Sequence, residues 1–235
     1  MNADIILIAG PLVRASSWEP TAERLRDLGW RVQVPDVLAH YPTPPAWNEW
    51  SHCLTSQITS ANNYLIVGHS SASALTAELA TKLPTGAIII VDGDVPPTEG
   101  PAYPVRPEFR AFIHGLRRTD GSLPRWSEWF DGDEYRATLV GIDTLKKDST
   151  AFDQFKSGLP RMNIDWFDEK IDLARWDHIP SGYIQTSKIY DHASAEAHRR
   201  GWPVVNTGGT HLDPTLRPDQ TANAIVSIAR SLEAT

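Results

Sequence analysis

The segment Gly68-His69-Ser70-Ser71-Ala72 has the composition of a tight turn that exposes a reactive serine. It lies between Tyr64–Val67, an apolar run that predicts a strand, and Ser71–Leu83, whose apolar spacing predicts a helix. Such a turn is crowded, so it requires small residues two positions before and after the serine, and this segment has them. We therefore predict that Ser70 is a nucleophile. The alternative, that Ser70 and Ser71 only cap a helix, is disfavoured by the preceding strand.

A serine hydroxyl needs a base to take its proton at neutral pH, and His211 is the best placed of the eight histidines for that task. It follows Gly208-Gly209-Thr210, a loop between the last predicted strand and the last predicted helix. A base that comes last in the chain, after the nucleophile and the acid, is typical of one group of serine enzymes. A loop histidine bonded only to solvent is the alternative. His69, next to the serine, is predicted to be structural.

The third member of such a site is a carboxylate that accepts a hydrogen bond from the far nitrogen of the imidazole. Asp191 lies five residues beyond the predicted strand Gly182–Thr186 and is the first choice. Asp92, directly after the predicted strand Ala87–Val91, is its rival, and Asp94 is a weaker third candidate. Chain order permits both Asp191 and Asp92. If Asp92 is not the acid, we expect it to anchor its turn by binding backbone amides.

Strand and helix patterns alternate around these residues, which predicts a mostly parallel sheet with helices on both faces. The remaining predicted strands are Ile5–Ile8, Arg31–Val34 and Val204–Asn206. The remaining predicted helices are Glu19–Leu28, Trp47–Ser60, Ala193–Arg200 and Gln220–Leu232, and a proline-rich loop covers Tyr41–Ala46. A chain of 235 residues with this rhythm fits one domain, 1–235.

The alternation stops between about 97 and 180, where prolines, charges and tryptophans occur in short irregular pieces. We interpret this segment as a cap inserted into a core of about 1–96 and 181–235. A cap over the carboxyl edge of the sheet would enclose Ser70 and shape a substrate cavity, although any single ring can instead be buried between cap and core. Trp126 and Trp129 are predicted to bind substrate, and the further aromatic candidates are Phe130, Trp166 and Trp176. Together they indicate a bulky apolar or aromatic small-molecule substrate.

The composition argues against several classes of partner and cofactor. A net charge of -7 opposes a phosphate backbone, so no nucleic acid is expected as a partner. Cys53 is the only cysteine, which excludes an internal disulfide and a cysteine-based metal site. Ligand spacings, dinucleotide fingerprints and P-loops do not occur, so no metal and no cofactor are expected. Without a long apolar run or a basic leader, we expect no membrane association and a cytoplasmic address; the oligomeric state is left open.

These residues resemble the α/β-hydrolase superfamily, and within it the small branch of plant methyl esterases, hydroxynitrile lyases and their bacterial relatives. The similar motifs are Ala9-Gly10-Pro11-Leu12 with Trp18 downstream, Gly68-His69-Ser70-Ser71-Ala72, Val91-Asp92, Tyr183-Ile184 with Asp191, and Gly209-Thr210-His211. The resemblance covers nearly the whole chain outside the predicted cap. It implies an α/β-hydrolase fold with an inserted cap, in which Ser70 is the nucleophile, Asp191 the acid and His211 the base.

In this family one oxyanion-hole amide comes from the residue after the first-loop glycine, which is Pro11 here and has no N–H. We expect the amides of Leu12 and Ser71 to bind the oxyanion instead. The favoured function is a serine hydrolase that cleaves an ester, thioester or lactone through an acyl-enzyme. Because Pro11 departs from the family pattern, a lyase or cyclase that uses Ser70 and His211 for acid–base chemistry is the alternative. A non-catalytic small-molecule binder on the same fold is the third possibility.

Overall fold

A computed structural model describes residues 3–39 and 46–234 of the chain. Its main sheet has six strands in the order β2-β1-β3-β4-β7-β8, all parallel to their neighbours. The eight strands of the described ranges are β1 (Asp4–Ile8), β2 (Val32–Gln33), β3 (Tyr64–His69), β4 (Thr85–Val91), β5 (Gly100–Ala102), β6 (Ile171–Leu173), β7 (Ser181–Gln185) and β8 (Val204–Asn206). The predicted parallel sheet is confirmed. Residues 41–45 of the predicted proline-rich loop lie outside the described residues.

Helices flank the sheet on both faces, as the alternating pattern predicted. In chain order they are α1 (Glu19–Asp27), α2 (Trp47–Gln57), α3 (Ser73–Lys82), α4 (Pro107–Gly115), α5 (Glu134–Val140), α6 (Ile142–Leu145), α7 (Ser149–Gly158), α8 (Asp191–Arg199), α9 (Asp213–Leu216) and α10 (Pro218–Glu233). Helix α1 ends where Gly29 adopts a left-handed backbone conformation, with φ of 87°, which glycine tolerates best. Within the described ranges no helix is long and apolar enough to cross a membrane.

The central strands are buried on both faces, which explains why their sequences are nearly continuous apolar runs. Because side chains alternate along a strand, Ile5 and Leu7 of β1 pack into one core with helices α1 and α10. Ile6 and Ile8 point to the opposite core, which continues into the segment between β4 and β7. Each such side chain contributes about 1.5–3 kcal/mol by leaving water. The two cores hold the sheet rigid at the edge where its strands end.

The segment between β4 and β7 lies over that edge. It contains helices α4 to α7 and a second, two-stranded antiparallel sheet of β5 and β6, which the sequence patterns did not predict. Leu139 and Val140 at the end of α5 accept hydrogen bonds from the backbone amides of His211 and Leu212. The segment therefore contacts the chain on which the candidate base lies. The limits of the predicted cap, 97 and 180, and the one-domain division stay predictions.

Candidate active site

Ser70 lies directly after β3, on a single turn of 3₁₀ helix that leads into α3. Its backbone φ of 59° is a left-handed conformation, which is strained for a residue with a side chain. The surroundings force small residues nearby, because a Cβ at Gly68 would lie 1.8 Å from Thr76 Oγ1, and one at Gly93 would lie 2.3 Å from the Ser70 carbonyl oxygen. This crowding accompanies the strained backbone at Ser70 that the motif predicts.

The imidazole of His211 contacts the Ser70 hydroxyl, with 3.1 Å between Nε2 and Oγ. The glycine-rich loop that carries it is fixed from both sides. Gly209 donates its N–H to the carbonyl of Thr186, and the buried Asp213 carboxylate accepts the N–H and hydroxyl of Thr210. The structure thus brings together the two side chains that the sequence assigned as nucleophile and base, although they are separated by 141 positions in the chain.

Asp92, and not Asp191, lies against the other nitrogen of this imidazole. His211 Nδ1 is 2.8 Å from Asp92 Oδ2, and Asp92 is completely buried. Its Oδ1 accepts the N–H groups of Thr186 and Ser187, each at 2.9 Å, and its Oδ2 accepts the Ser187 hydroxyl at 2.6 Å. The carboxylate is therefore saturated with hydrogen bonds and held in one orientation.

The prediction that Asp191 fills this position is corrected. Strands β4 and β7 are parallel neighbours, with Val91 opposite Ile184. The residues that follow either strand therefore lie at the same edge of the sheet. Asp92 is the first residue after its strand, whereas the turn after β7 carries the chain away before Asp191 begins α8. The Asp191 side chain is exposed and accepts a hydrogen bond from Gln185 Nε2. Asp94, the third candidate, contacts His192 at 2.7 Å instead.

The electrostatics of the buried groups fit this arrangement. Burial alone would raise the pKa of Asp92, but its hydrogen bonds with His211 and Ser187 prevail and hold that pKa below its ordinary value. Asp92 is therefore an anion beside the imidazole. His69 is also buried, and loss of solvation lowers its pKa from 6.5 to about 3, helped by repulsion from His211. Its Nε2 lies 2.9 Å from the His211 carbonyl oxygen, so neutral His69 contacts the loop that carries His211. This contact is consistent with the structural role predicted for His69.

The backbone amides of Leu12 and Ser71 are the two that were predicted to bind an oxyanion. Pro11 has no N–H, as the sequence shows, and a hydrogen bond from Val13 to the Gly10 carbonyl closes a turn around Pro11 and Leu12. Within the described residues the Leu12 N–H has no hydrogen-bond partner. Ser71 stands at the start of the helical turn after Ser70, where amides lack an intrahelical acceptor. The oxyanion-binding roles of Leu12 and Ser71 therefore stay predictions.

A cavity of about 300 Å³ opens above Ser70 and His211. The side chains in its wall are mostly apolar, and they include Leu12, Phe109, Phe112, Trp126, Phe130 and Tyr190. Of the two tryptophans predicted to bind substrate, Trp126 lines this cavity. Trp129 does not: its indole N–H donates to the Pro124 carbonyl at 2.8 Å and its ring packs on Phe167, so it belongs to the core beneath the wall.

Sequence patterns did not identify several residues of this wall. Tyr190 is buried, and its ring stacks on the His211 ring with 5.5 Å between the ring centroids. Burial raises the pKa of Tyr190, so its phenol stays protonated. Arg106 lies over the same tyrosine ring, with 5.7 Å between the guanidinium carbon and the ring centroid. Neither residue belongs to a sequence motif, so only the structure identifies them as part of the cavity wall.

No group of side chains with the composition of a metal site occurs in residues 3–39 and 46–234. The site of Ser70, His211 and Asp92 is a chain of three hydrogen-bonded groups beside a mostly apolar cavity. Such an arrangement can remove the serine proton as the hydroxyl attacks an electrophilic carbon.

Known proteins of this architecture share the fold. An extracellular alpha/beta-hydrolase from a Paenibacillus species, described as sharing structural and functional homology with tobacco salicylic acid binding protein 2, aligns with a TM-score of 0.72 at 19% identity over 94% of this chain and 98% of its own. Polyneuridine aldehyde esterase aligns with a TM-score of 0.71 at 12% identity over 97% and 100%. A pyrethroid hydrolase from Sphingobium faniae JZ-2 aligns with a TM-score of 0.66 at 18% identity over 99% of both chains.

No curated protein sequence matches the chain. The sequence does match the family model described as "Alpha/beta hydrolase family" over residues 5–224. This range includes Ser70, Asp92 and His211, and the match confirms the resemblance on which the fold was predicted. The chain belongs to the alpha/beta hydrolase family.

Proposed function

We propose that this protein is a serine hydrolase that cleaves an ester, thioester or lactone of a bulky apolar or aromatic small molecule. The observation that carries the proposal is the continuous contact from Asp92 through His211 to Ser70, with 2.8 Å and 3.1 Å between the paired atoms. Esterase and hydrolase neighbours of the same fold support it.

In the proposed reaction, Ser70 Oγ attacks the substrate carbonyl carbon while His211 Nε2 takes its proton. The carbonyl oxygen becomes an anion, which the amides of Leu12 and Ser71 bind. Collapse of this intermediate breaks the bond to the leaving group, which receives the proton from His211. Water then attacks the acyl-enzyme by the same route and releases the acid. Throughout, the Asp92 carboxylate fixes the imidazole tautomer and stabilises the transient cation.

The experiment is labelling with a fluorophosphonate together with turnover of aryl esters. We expect covalent labelling and 4-nitrophenyl ester hydrolysis by the unaltered protein, and loss of both in Ser70→Ala. Ser56→Ala is the matched control, because Ser56 is an exposed helix residue that only bonds the Cys53 carbonyl. A folded protein that neither labels nor turns over an ester contradicts the proposal.

A second candidate function rests on Pro11. Removing one oxyanion donor in other enzymes costs about 3 kcal/mol in the transition state, which slows acyl transfer. If the Leu12 amide does not compensate, the same Ser70 and His211 pair suits acid–base chemistry in a lyase or cyclase. Mass spectrometry discriminates the two functions, because only the hydrolase accumulates an acyl group on Ser70 when an activated ester is added.

A further inference from the structure

Two cations, Arg106 and Arg136, line the mostly apolar cavity, although the chain as a whole carries a net charge of -7. Arg136 lies near Asp133, at 3.4 Å, and its guanidinium stacks on the Phe112 ring, at 4.7 Å, but its side chain is 52% exposed. Arg106 is less exposed, at 29%, and its guanidinium stacks on two rings of the cavity wall, those of Tyr190 and Phe109. Arg106 therefore places a positive charge inside the substrate cavity.

The guanidinium of Arg106 lies near one carboxylate but donates no hydrogen bond to the described residues. Its closest carboxylate is Asp94, at 3.6 Å between Nη1 and Oδ1, which is beyond hydrogen-bond distance. Asp94 is itself occupied: its Oδ1 contacts His192 Nε2 at 2.7 Å and its Oδ2 accepts the backbone N–H of Arg106 at 3.2 Å. Among the described residues none accepts a hydrogen bond from the Arg106 side chain, which has five N–H donors.

The positive charge of Arg106 lies in the same cavity as the reacting side chains of Ser70 and His211. Tyr190 separates Arg106 from His211: its ring is 5.7 Å from the Arg106 guanidinium carbon and 5.5 Å from the His211 ring. Ser70 and Arg106 line the same cavity, so a substrate whose carbonyl meets Ser70 can extend towards Arg106. Stacking on aromatic faces leaves the edge of a guanidinium free, and that edge matches a carboxylate with two parallel hydrogen bonds.

Resting on the proposed function, we propose that Arg106 is a specificity residue that binds an anionic group, so that the natural substrate is an aromatic or apolar ester that also carries a carboxylate. Glu108 is the opposing charge in the wall, but it is exposed at the rim. Of the two arginines in the wall, Arg106 is the less exposed, with 29% of its side chain accessible against 52% for Arg136.

The test compares pairs of esters that differ only in charge. Mono(4-nitrophenyl) terephthalate and 4-nitrophenyl 4-carbamoylbenzoate place a carboxylate or its neutral amide on the acyl side. The acetyl esters of 4-hydroxybenzoate and 4-hydroxybenzamide place it on the leaving group. We expect the unaltered protein to favour the carboxylate member of at least one pair by about tenfold or more in kcat/KM, as a charge-assisted bond to arginine implies.

In Arg106→Leu this ratio should fall to about one or below, and Arg106→Lys should give an intermediate ratio, because lysine keeps the charge without the paired donors. Arg110→Leu is the matched control: Arg110 lies in α4, the helix that Arg106 directly precedes, but stacks on Tyr103, at 4.6 Å, outside the cavity wall, so its ratio should not change. Equal turnover of both members by the unaltered protein, or a preference that survives in Arg106→Leu, would overturn the inference.

Because turnover also depends on the proposed function, the same pairs are titrated calorimetrically into Ser70→Ala, which retains the cavity. Tighter binding of the carboxylate member, lost when Arg106→Leu is added, supports anion recognition even if no ester is hydrolysed. In that case the hydrolase proposal fails while the binding inference stands. Equal affinity for the carboxylate ester and its amide counterpart contradicts the inference, whether or not the protein hydrolyses esters.

Discussion

Replacing Asp92 by asparagine removes a buried charge and changes which nitrogen of His211 carries its proton. In Asp92→Asn the new side-chain oxygen would face the N–H groups of Thr186 and Ser187, because both now donate to the same carboxylate oxygen at 2.9 Å. The amide NH₂ is thereby directed at His211 Nδ1. Since NH₂ can only donate, Nδ1 must accept, the proton moves to Nε2, and His211 can no longer take the proton of Ser70.

The expected size of the effect follows from this change of tautomer. The same substitution in a well-studied serine enzyme leaves the geometry intact and lowers kcat about 10⁴-fold. That factor corresponds to about 5 kcal/mol of transition-state stabilisation. We expect a loss of this order here, because the Asp92 carboxylate is completely buried and no solvent can replace it. The KM should change little, since Asp92 does not line the cavity.

The measurement is kcat and KM for a 4-nitrophenyl ester, with thermal unfolding to show that each variant is folded. Asp191→Asn is the matched control, because the exposed Asp191 carboxylate contacts Gln185 and not the imidazole. Its kcat should stay within about twofold, since surface substitutions are usually near neutral. If Asp191→Asn loses more activity than Asp92→Asn, the assignment of the acid from the structure is wrong.

Three further outcomes are expected. His69 is neutral in the fold, with a pKa of about 3, but binds a proton near pH 6.5 when unfolded, so acid favours the unfolded state. Between pH 7 and pH 5 this group should lower the free energy of urea unfolding by about 2 kcal/mol, and an equal pH slope in His69→Gln would refute it. Gly93→Ala places a Cβ 2.3 Å from the Ser70 carbonyl, so unfolding free energy should drop by about 1–3 kcal/mol and kcat/KM should fall with it; unchanged values would contradict the crowding. Tyr190→Leu removes the ring that stacks on His211 at 5.5 Å, so kcat should fall roughly two- to tenfold in an ester assay, as an aromatic pair worth about 0.5–1.5 kcal/mol implies, and an unaltered kcat would leave that stacking without a role.

Local patterns in the sequence were sufficient to predict the parallel sheet and the position of the candidate nucleophile, Ser70. The apolar runs of β1, β3 and β4 predict buried parallel strands because such strands are covered on both faces. The turn around Ser70 is recognisable locally, since its strained backbone and the close contact of Gly68 with Thr76 involve a few neighbouring positions. His211 could be proposed from its glycine-rich loop and its place late in the chain.

Only the tertiary structure decided which carboxylate meets His211 and which aromatic rings form the cavity. Strands β4 and β7 end side by side, so order along the chain could not separate Asp92 from Asp191; the length and direction of each turn did. Trp126 and Trp129 are three positions apart, yet one faces the cavity and the other the core, because their local backbone turns them to different sides. Arg106 and Tyr190 belong to no motif, and packing across distant segments brings them together, since stacking depends on distances in space and not on spacing in the sequence.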